Sequence, residues 1–176
     1  VVEGRPWGLL GHSRGGAVSI LAAPDIPEAG AVVSWSGLSK LDRYTPRRKK
    51  EWKKTGRLPF TESRSESGLW LDYSYYRDIE ENMERYDVQA GAAGMGLPHL
   101  IVHGRHDRAV TMKEAERLLE LPREAEVRME IIEGCGHAFG AVHPMDNAPR
   151  CLQEASVKTA LWLRDRLLPQ AGAGMD

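Results

Sequence analysis

Ser13, Asp107 and His137 are the side chains of this sequence whose types and order could do chemistry together. A serine hydroxyl becomes a good nucleophile only when a base takes its proton during the attack. Histidine titrates near neutrality and is the usual base, and a carboxylate can fix its tautomer and stabilise its charged form. The three residues therefore predict acyl transfer by a serine nucleophile, provided that the fold brings them together.

Ser13 lies in a short motif between two segments of different character. The motif Gly11-His12-Ser13-Arg14-Gly15 has the form G-x-S-x-G, with apolar residues 7–10 before it and small residues 16–23 after it. This pattern predicts a strand, a sharp turn and a helix. We expect both flanking glycines to be required, because a Cβ atom would clash inside so tight a turn. At the helix start, the backbone N–H of Arg14 is the candidate donor to a developing oxyanion, and the Arg14 side chain is not implicated.

Asp107 and His137 each follow a predicted strand. Asp107 comes shortly after the apolar run 100–102, and His137 lies in the glycine-rich loop 134–140, after the run 126–131. A continuous apolar run is typical of a buried parallel strand, whereas the alternation of polar and apolar residues in 126–131 is typical of a strand near a sheet edge. Catalytic groups collect at the carboxyl ends of parallel strands, so we expect both side chains at that edge.

Three motifs, GHSRGG, HGRHDRAV and GCGHAFG, resemble those of the α/β-hydrolase superfamily, in particular its esterase, dienelactone-hydrolase-like and serine-peptidase-like branches. The order Ser, Asp, His along the chain is also that of the superfamily's triad. The resemblance covers the two ends of the chain. It implies that Ser13 is the nucleophile, His137 the base and Asp107 the acid, with no metal or other cofactor.

The same resemblance implies an α/β architecture, a parallel-sheet α/β-hydrolase fold that lacks its N-terminal strands. In the family the sheet has eight strands and the nucleophile turn follows the fifth, whereas here that turn comes at residue 13. We expect the chain to be the C-terminal part of a longer hydrolase, with the loop that supplies a second oxyanion N–H upstream of it. The strand before the turn would then be an exposed apolar edge through which copies could self-associate.

The chain is expected to divide into a core, an insertion and a tail. Residues 1–37 and 98–168 form the predicted α/β-hydrolase core, which ends in a helix over 149–167 and contains a capping box between Thr111 and Glu114. Residues 38–97 are too many for a simple connection and predict an inserted helical cap. Residues 169–176 predict a disordered tail.

Composition argues against some classes of partner. The 176 residues carry a formal net charge of −1, so no overall charge favours nucleic acid, and no apolar stretch is long enough to span a membrane. The basic run 47–54 could be a nucleic-acid patch, but it is short and interrupted, which favours a solvated helix face. Cys135 and Cys151 do not make a disulfide framework, and they predict a reducing, cytoplasmic location.

Other residues compete for roles in the site. His103 and His106 could be imagined as a metal site with Asp107, but no matching cysteine or carboxylate cluster accompanies them, so no metal is predicted. His143 is a second candidate base that lacks the flanking glycines of His137. Four further carboxylates are candidate acids that follow no apolar strand: Asp72, Asp78, Asp87 and Asp146.

Four residues are candidates for lining a substrate pocket: His12, Trp35, Trp70 and Phe139. The aromatic run 70–76 could equally form the core of the insertion. His12 could be structural, because neighbouring side chains on a tight turn diverge.

The sequence thus predicts a serine hydrolase, most simply a carboxylesterase acting on a small or medium-sized ester. A serine peptidase or a thioesterase would use the same three residues, so a peptide or thioester substrate stays open. The alternative from another class is a non-catalytic module of this fold that binds a ligand under its cap.

Overall fold

The computed structural model describes residues 4–59 and 69–168, and the predicted tail, 169–176, lies outside them. The strands are β1 (Trp7–His12), β2 (Ala29–Trp35), β3 (Arg57–Pro59), β4 (Trp70–Asp72), β5 (His99–Gly104) and β6 (Val127–Ile132). The helices are α1 (Arg14–Ala22), α2 (Pro46–Thr55), α3 (Tyr73–Glu81), α4 (Val88–Gly94), α5 (Met112–Leu119) and α6 (Arg150–Leu167), and a short 3-10 turn, Ala23–Asp25, follows α1.

The chain divides into two compact units at boundaries that differ from the expected ones. One unit comprises Val1–Ser39 with Val88–Asp176, and the other is Lys40–Asp87. Residues 88–97, expected in the insertion, belong to the first unit because α4 packs against α1, with the backbone at Gly91 lying against Leu21. That residues 40–87 act as a cap stays a prediction.

The first unit is built on a parallel four-stranded sheet with the order β1-β2-β5-β6. All of β5 is buried, as its continuous apolar run predicts, and α6 packs Ala155 and Trp162 into the core on one face. The predicted parallel α/β fold is confirmed. Within the described residues β1 pairs with β2 alone, and its Trp7 and Leu10 are about half exposed. Self-association through this edge stays a prediction.

The carboxyl ends of the four strands lie within two residues of one another along the sheet. His12 at the end of β1 is opposite Trp35, Trp35 is opposite Val102 of β5, and Gly104 is opposite Ile132 at the end of β6. Because the strands are parallel, the turns that follow them all leave the same edge of the sheet. The residues just beyond these four ends are therefore brought close together.

Glu114 does not form the expected capping box. Thr111 precedes α5 but makes no side-chain cap hydrogen bond. The Glu114 carboxylate is buried and accepts hydrogen bonds from the backbone N–H and the hydroxyl of Ser39, at 2.9 and 3.1 Å. A long-range partner therefore replaces the local one, because the turn after β2 buries polar groups that need an acceptor.

Cys135 and Cys151 form a disulfide, which corrects the expectation of reduced thiols. Their Cα atoms lie 5.9 Å apart, within the range that a disulfide requires. The bond joins the loop after β6 to the first turn of α6, and closing a loop of this size stabilises a fold by about 3 kcal/mol. The cytoplasmic location loses the argument that supported it and stays a prediction. No helix in the part of the chain that the structure describes could cross a membrane.

The second unit has its own small core around Trp52, which is fully buried under Leu58 and Tyr76. The indole N–H of Trp52 donates to the carbonyl of Leu71 at 3.0 Å and so ties α2 to the hairpin of β3 and β4. The aromatic run 70–76 thus contributes mainly to this core. The basic side chains on the outer side of α2 are exposed, including Arg47, Lys50 and Lys54.

The two glycines that flank Ser13 are not equivalent. A Cβ atom on Gly11 would lie 2.0 Å from the carbonyl oxygen of Gly15, whereas a Cβ atom on Gly15 would have no atom within 4 Å. The expectation that both glycines are sterically required is therefore wrong for Gly15. Gly16 is the second crowded position, because its Cβ would lie 3.0 Å from the Cα of Gly37.

Replacing these glycines should separate the two cases. We expect Gly11→Ala to lower the free energy of unfolding by about 2 kcal/mol, or Tm by about 5 °C, because backbone atoms must move to admit the methyl group. Gly15→Ala, at the start of α1, should leave Tm unchanged or raise it slightly, since alanine favours a helix over glycine. Thermal unfolding followed by circular dichroism measures both. Equal losses of Tm in the two variants would contradict this account of the turn.

His99 is a buried histidine in β5 whose two ring nitrogens are both occupied. Arg123 donates to Nδ1 at 3.2 Å, so the ring hydrogen is on Nε2, which donates to the Ser34 hydroxyl oxygen at 2.8 Å. Burial, followed by the charge of Arg123, lowers the pKa of His99 from 6.5 to about 3. The folded protein therefore keeps this ring neutral at any pH above that value.

The neutral ring makes stability depend on pH. The unfolded chain protonates His99 below pH 6.5 and the folded chain does not, so this contribution is complete above pH 6.5 and is lost as the pH falls towards 3. We expect a loss of about 1.4 kcal/mol per pH unit from this group. Urea unfolding from pH 7 to pH 4 measures it. In His99→Gln the dependence should weaken by about one proton, and an unchanged slope would contradict the prediction.

Candidate active site

The turn after β1 presents Ser13 in a strained conformation. Its φ and ψ are +56° and −118°, in a region that residues with side chains rarely adopt. The backbone N–H of Ser13 donates to the carbonyl of Trp35 at 2.8 Å, and its own carbonyl accepts from Gly16 at 3.0 Å. The turn is thus held by β2 on one side and by α1 on the other. The backbone N–H of Arg14 is the first of the helix.

The loop after β5 holds Asp107 as a buried carboxylate. One carboxylate oxygen accepts the backbone N–H groups of Ala109 and Val110, both at 2.9 Å, and the other accepts from His137. Burial by itself raises the pKa of Asp107, but the hydrogen bonds from His137 and Val110 outweigh it and hold the pKa below its ordinary value. Asp107 is therefore ionised at neutral pH.

The loop after β6 carries His137 and packs directly on the Asp107 loop. The backbone N–H of His106 donates to the carbonyl of Cys135 at 2.8 Å. A Cβ atom on Gly104 would lie 2.6 Å from that same carbonyl oxygen, so the two loops approach as closely as backbones can. The sequence shows both glycine-containing loops but not this contact between them.

Ser13, His137 and Asp107 form one continuous hydrogen-bonded chain. The Nδ1–H of His137 donates to Oδ2 of Asp107 at 2.8 Å, because an ionised carboxylate can only accept. The other ring nitrogen, Nε2, therefore carries the lone pair and accepts from the Ser13 hydroxyl at 3.0 Å. His137 is thus brought into contact with Ser13, 124 positions away in the sequence, and with Asp107, 30 positions away. The arrangement can pass a proton from the serine oxygen to the imidazole.

His103 belongs to this site although the sequence suggested another use for it. It is fully buried, and its Nε2–H donates to the carbonyl of Val110 at 2.9 Å while lying 3.6 Å from Oδ2 of Asp107. It therefore supports the Asp107 loop. Among the residues that the structure describes, no group of three or more His, Cys, Asp and Glu side chains could hold a metal ion. In the sequence, the signal for this role was that His103 lies four residues before Asp107.

The four candidate pocket residues occupy different environments. Phe139 is buried in the core, and that it lines a pocket stays a prediction. Trp35 is half-buried beside it, with ring centroids 5.3 Å apart, and donates its indole N–H to Thr159. Trp70 is exposed on β4 in the second unit, with the guanidinium of Arg57 over its ring. His12 lies against His137.

The competing acids and base have other surroundings. Asp72 caps α3 by accepting from the N–H of Ser74, and Asp78 accepts from Asn82. Asp87 ends the second unit, Asp146 is exposed, and His143 is exposed with no side-chain hydrogen bond to any described residue. None of them is bonded to Ser13 or to His137 among the described contacts.

The chain is similar to several known hydrolases, although no protein-family model matches it. It is 28% identical to the 2,6-dihydropseudooxynicotine hydrolase of Paenarthrobacter nicotinovorans over 92% of this chain and 38% of that protein. Its structure matches mouse alpha/beta hydrolase domain-containing protein 10 (TM-score 0.70, 16% identity, 93% of this chain and 64% of that one). It also matches the monoacylglycerol lipase of Paleococcus ferrophilus (TM-score 0.68, 19% identity, 93% and 70%).

These relatives are longer than the chain, which spans 38% of the curated hydrolase and 64% and 70% of the two solved structures. Each of the three matches covers more than nine tenths of this chain. At these identities the solved structures establish the fold and not the reaction. The chain is a protein of the α/β-hydrolase fold.

Proposed function

We propose that the protein is a serine hydrolase of the carboxylesterase kind, with Ser13 as nucleophile, His137 as base and Asp107 as the acid that orients it. The observation that carries the proposal is the hydrogen-bonded chain from the Ser13 hydroxyl through His137 to a buried, ionised Asp107. The relatives whose names specify hydrolase or lipase activity add support from outside the chain.

In the first half of the reaction, Ser13 Oγ attacks the carbonyl carbon of the ester while its proton passes to Nε2 of His137. The carbonyl oxygen takes up the negative charge of the tetrahedral intermediate, and the N–H of Arg14 at the start of α1 donates to it. The intermediate then collapses. The bond to the alcohol oxygen breaks, that oxygen takes the proton from Nε2, and the acyl group remains on Ser13.

In the second half, a water molecule attacks the acyl carbon and gives its proton to Nε2 of His137. Collapse of this second intermediate breaks the bond to Ser13 Oγ, which recovers the proton from His137, and the carboxylic acid leaves. Asp107 stays ionised throughout and stabilises the imidazolium that forms in each half. Its low pKa suits that task, because a protonated carboxyl group would not attract the charged ring.

The reaction class can be tested with a fluorophosphonate probe, which phosphonylates an activated serine and loses fluoride. We expect the unmodified protein to be labelled, and Ser13→Ala to abolish labelling. Because general base catalysis contributes about 10²-fold or more, His137→Ala and Asp107→Asn should slow labelling by at least that factor. The measurement is the rate of probe incorporation, followed by mass spectrometry of the labelled peptide.

His143→Ala is the matched control, since His143 is an exposed histidine outside the hydrogen-bonded chain. The His143→Ala variant should be labelled at the same rate as the unmodified protein. The proposal would be overturned if labelling persisted in Ser13→Ala. It would also be overturned if the unmodified protein were never labelled, a result that would favour a non-catalytic binding module. A panel of ester, thioester and aminoacyl amide substrates then assigns the subclass, and we expect the ester to be turned over fastest.

A further inference from the structure

We infer that His12 is a positioning residue that holds the His137 loop against the nucleophile turn. Nε2 of His12 lies 2.8 Å from the backbone carbonyl oxygen of His137, 125 residues away in the sequence. A carbonyl oxygen can only accept, so His12 carries its hydrogen on Nε2 and donates it there. The inference rests on the proposed function, because it gives His12 a part in presenting His137 to Ser13.

Two consecutive residues of the turn therefore hold His137 at two different points. Ser13 is hydrogen-bonded to the ring through Nε2, at 3.0 Å, and His12 is hydrogen-bonded to the backbone of the same residue. The first bond is broken and remade as the proton moves during the reaction, whereas the second is independent of that proton. The bond from His12 can therefore keep the loop in place in every step.

Ring contacts add to this hydrogen bond. The centroids of the His12 and His137 rings lie 4.8 Å apart at an interplanar angle of 44°, and those of His12 and Phe139 lie 6.3 Å apart at 65°. Phe139 is itself buried and has a positive φ of 52°, so this part of the loop has a defined conformation. His12 thus contacts the His137 ring as well as the backbone of that residue.

The exposure of His12 makes the inference easy to test. Because the side chain is exposed, its removal should leave the core intact. A residue that contacts the substrate would change KM, whereas a residue that positions the base changes kcat and leaves KM alone. The sequence alone allowed His12 to line the substrate pocket, and the two roles therefore predict different kinetics.

The test compares His12→Ala, His12→Gln and the control His143→Ala. In His12→Ala we expect kcat on the ester substrate and the rate of fluorophosphonate labelling to fall about tenfold, the factor expected for one hydrogen bond, with KM unchanged. The amide nitrogen of glutamine can donate to the same carbonyl, so His12→Gln should recover most of the rate. Thermal unfolding confirms that each variant is folded.

Hydrogen exchange of the segment 134–140, followed by mass spectrometry, provides a readout that does not depend on catalysis. Exchange should be faster in His12→Ala than in the unmodified protein, His12→Gln or His143→Ala. Unchanged exchange in His12→Ala overturns the inference, and so does a raised KM with unchanged kcat. A glutamine variant as slow as the alanine variant also overturns it. If the unmodified protein is never labelled, the proposed function fails, while the exchange result still decides whether His12 holds the loop.

Discussion

The register of the four parallel strands is the constraint on which the site depends. His12, Trp35, Val102 and Glu130 are aligned across the sheet, and β5 and β6 continue for two residues beyond this row, so the turns that follow the four strands meet at one edge. A shift of one residue in any pairing would move a turn by more than 3 Å and would turn its side chains to the other face. Hydrogen bonds of about 3 Å between residues from separate loops cannot survive such a shift.

The negative charge of Asp107 is stabilised by hydrogen bonds from its own loop and from the loop of His137. The Asp107 carboxylate is buried, which alone would favour its neutral form, and it stays ionised because backbone N–H groups and His137 donate to it. His103 lies 3.6 Å from this carboxylate and bonds to the same loop. In the proposed reaction the negative charge of Asp107 is in place before the substrate binds, which lowers the reorganisation that the reaction requires.

Sequence reasoning succeeded where the signal was local and failed where the partner was distant. The strands and helices of the core, together with the loops that carry Asp107 and His137, follow from runs of apolar residues and from turn residues. Three contacts join residues from different parts of the chain: the disulfide between Cys135 and Cys151, the hydrogen bond from Ser39 to Glu114, and the contact between His12 and His137. No periodicity or spacing reports such pairs, because they exist only after the sheet has formed.

The sequence by itself determined which residues could do chemistry and that each would follow a strand, since side-chain type and hydrophobic pattern are local properties. Only the tertiary structure decided how those residues meet. It placed Phe139 in the core and His12 against His137, and it left space at Gly15 where the motif suggested none. Steric room and hydrogen-bond partners depend on what packs beside a residue, and that is settled by the alignment of strands distant in sequence.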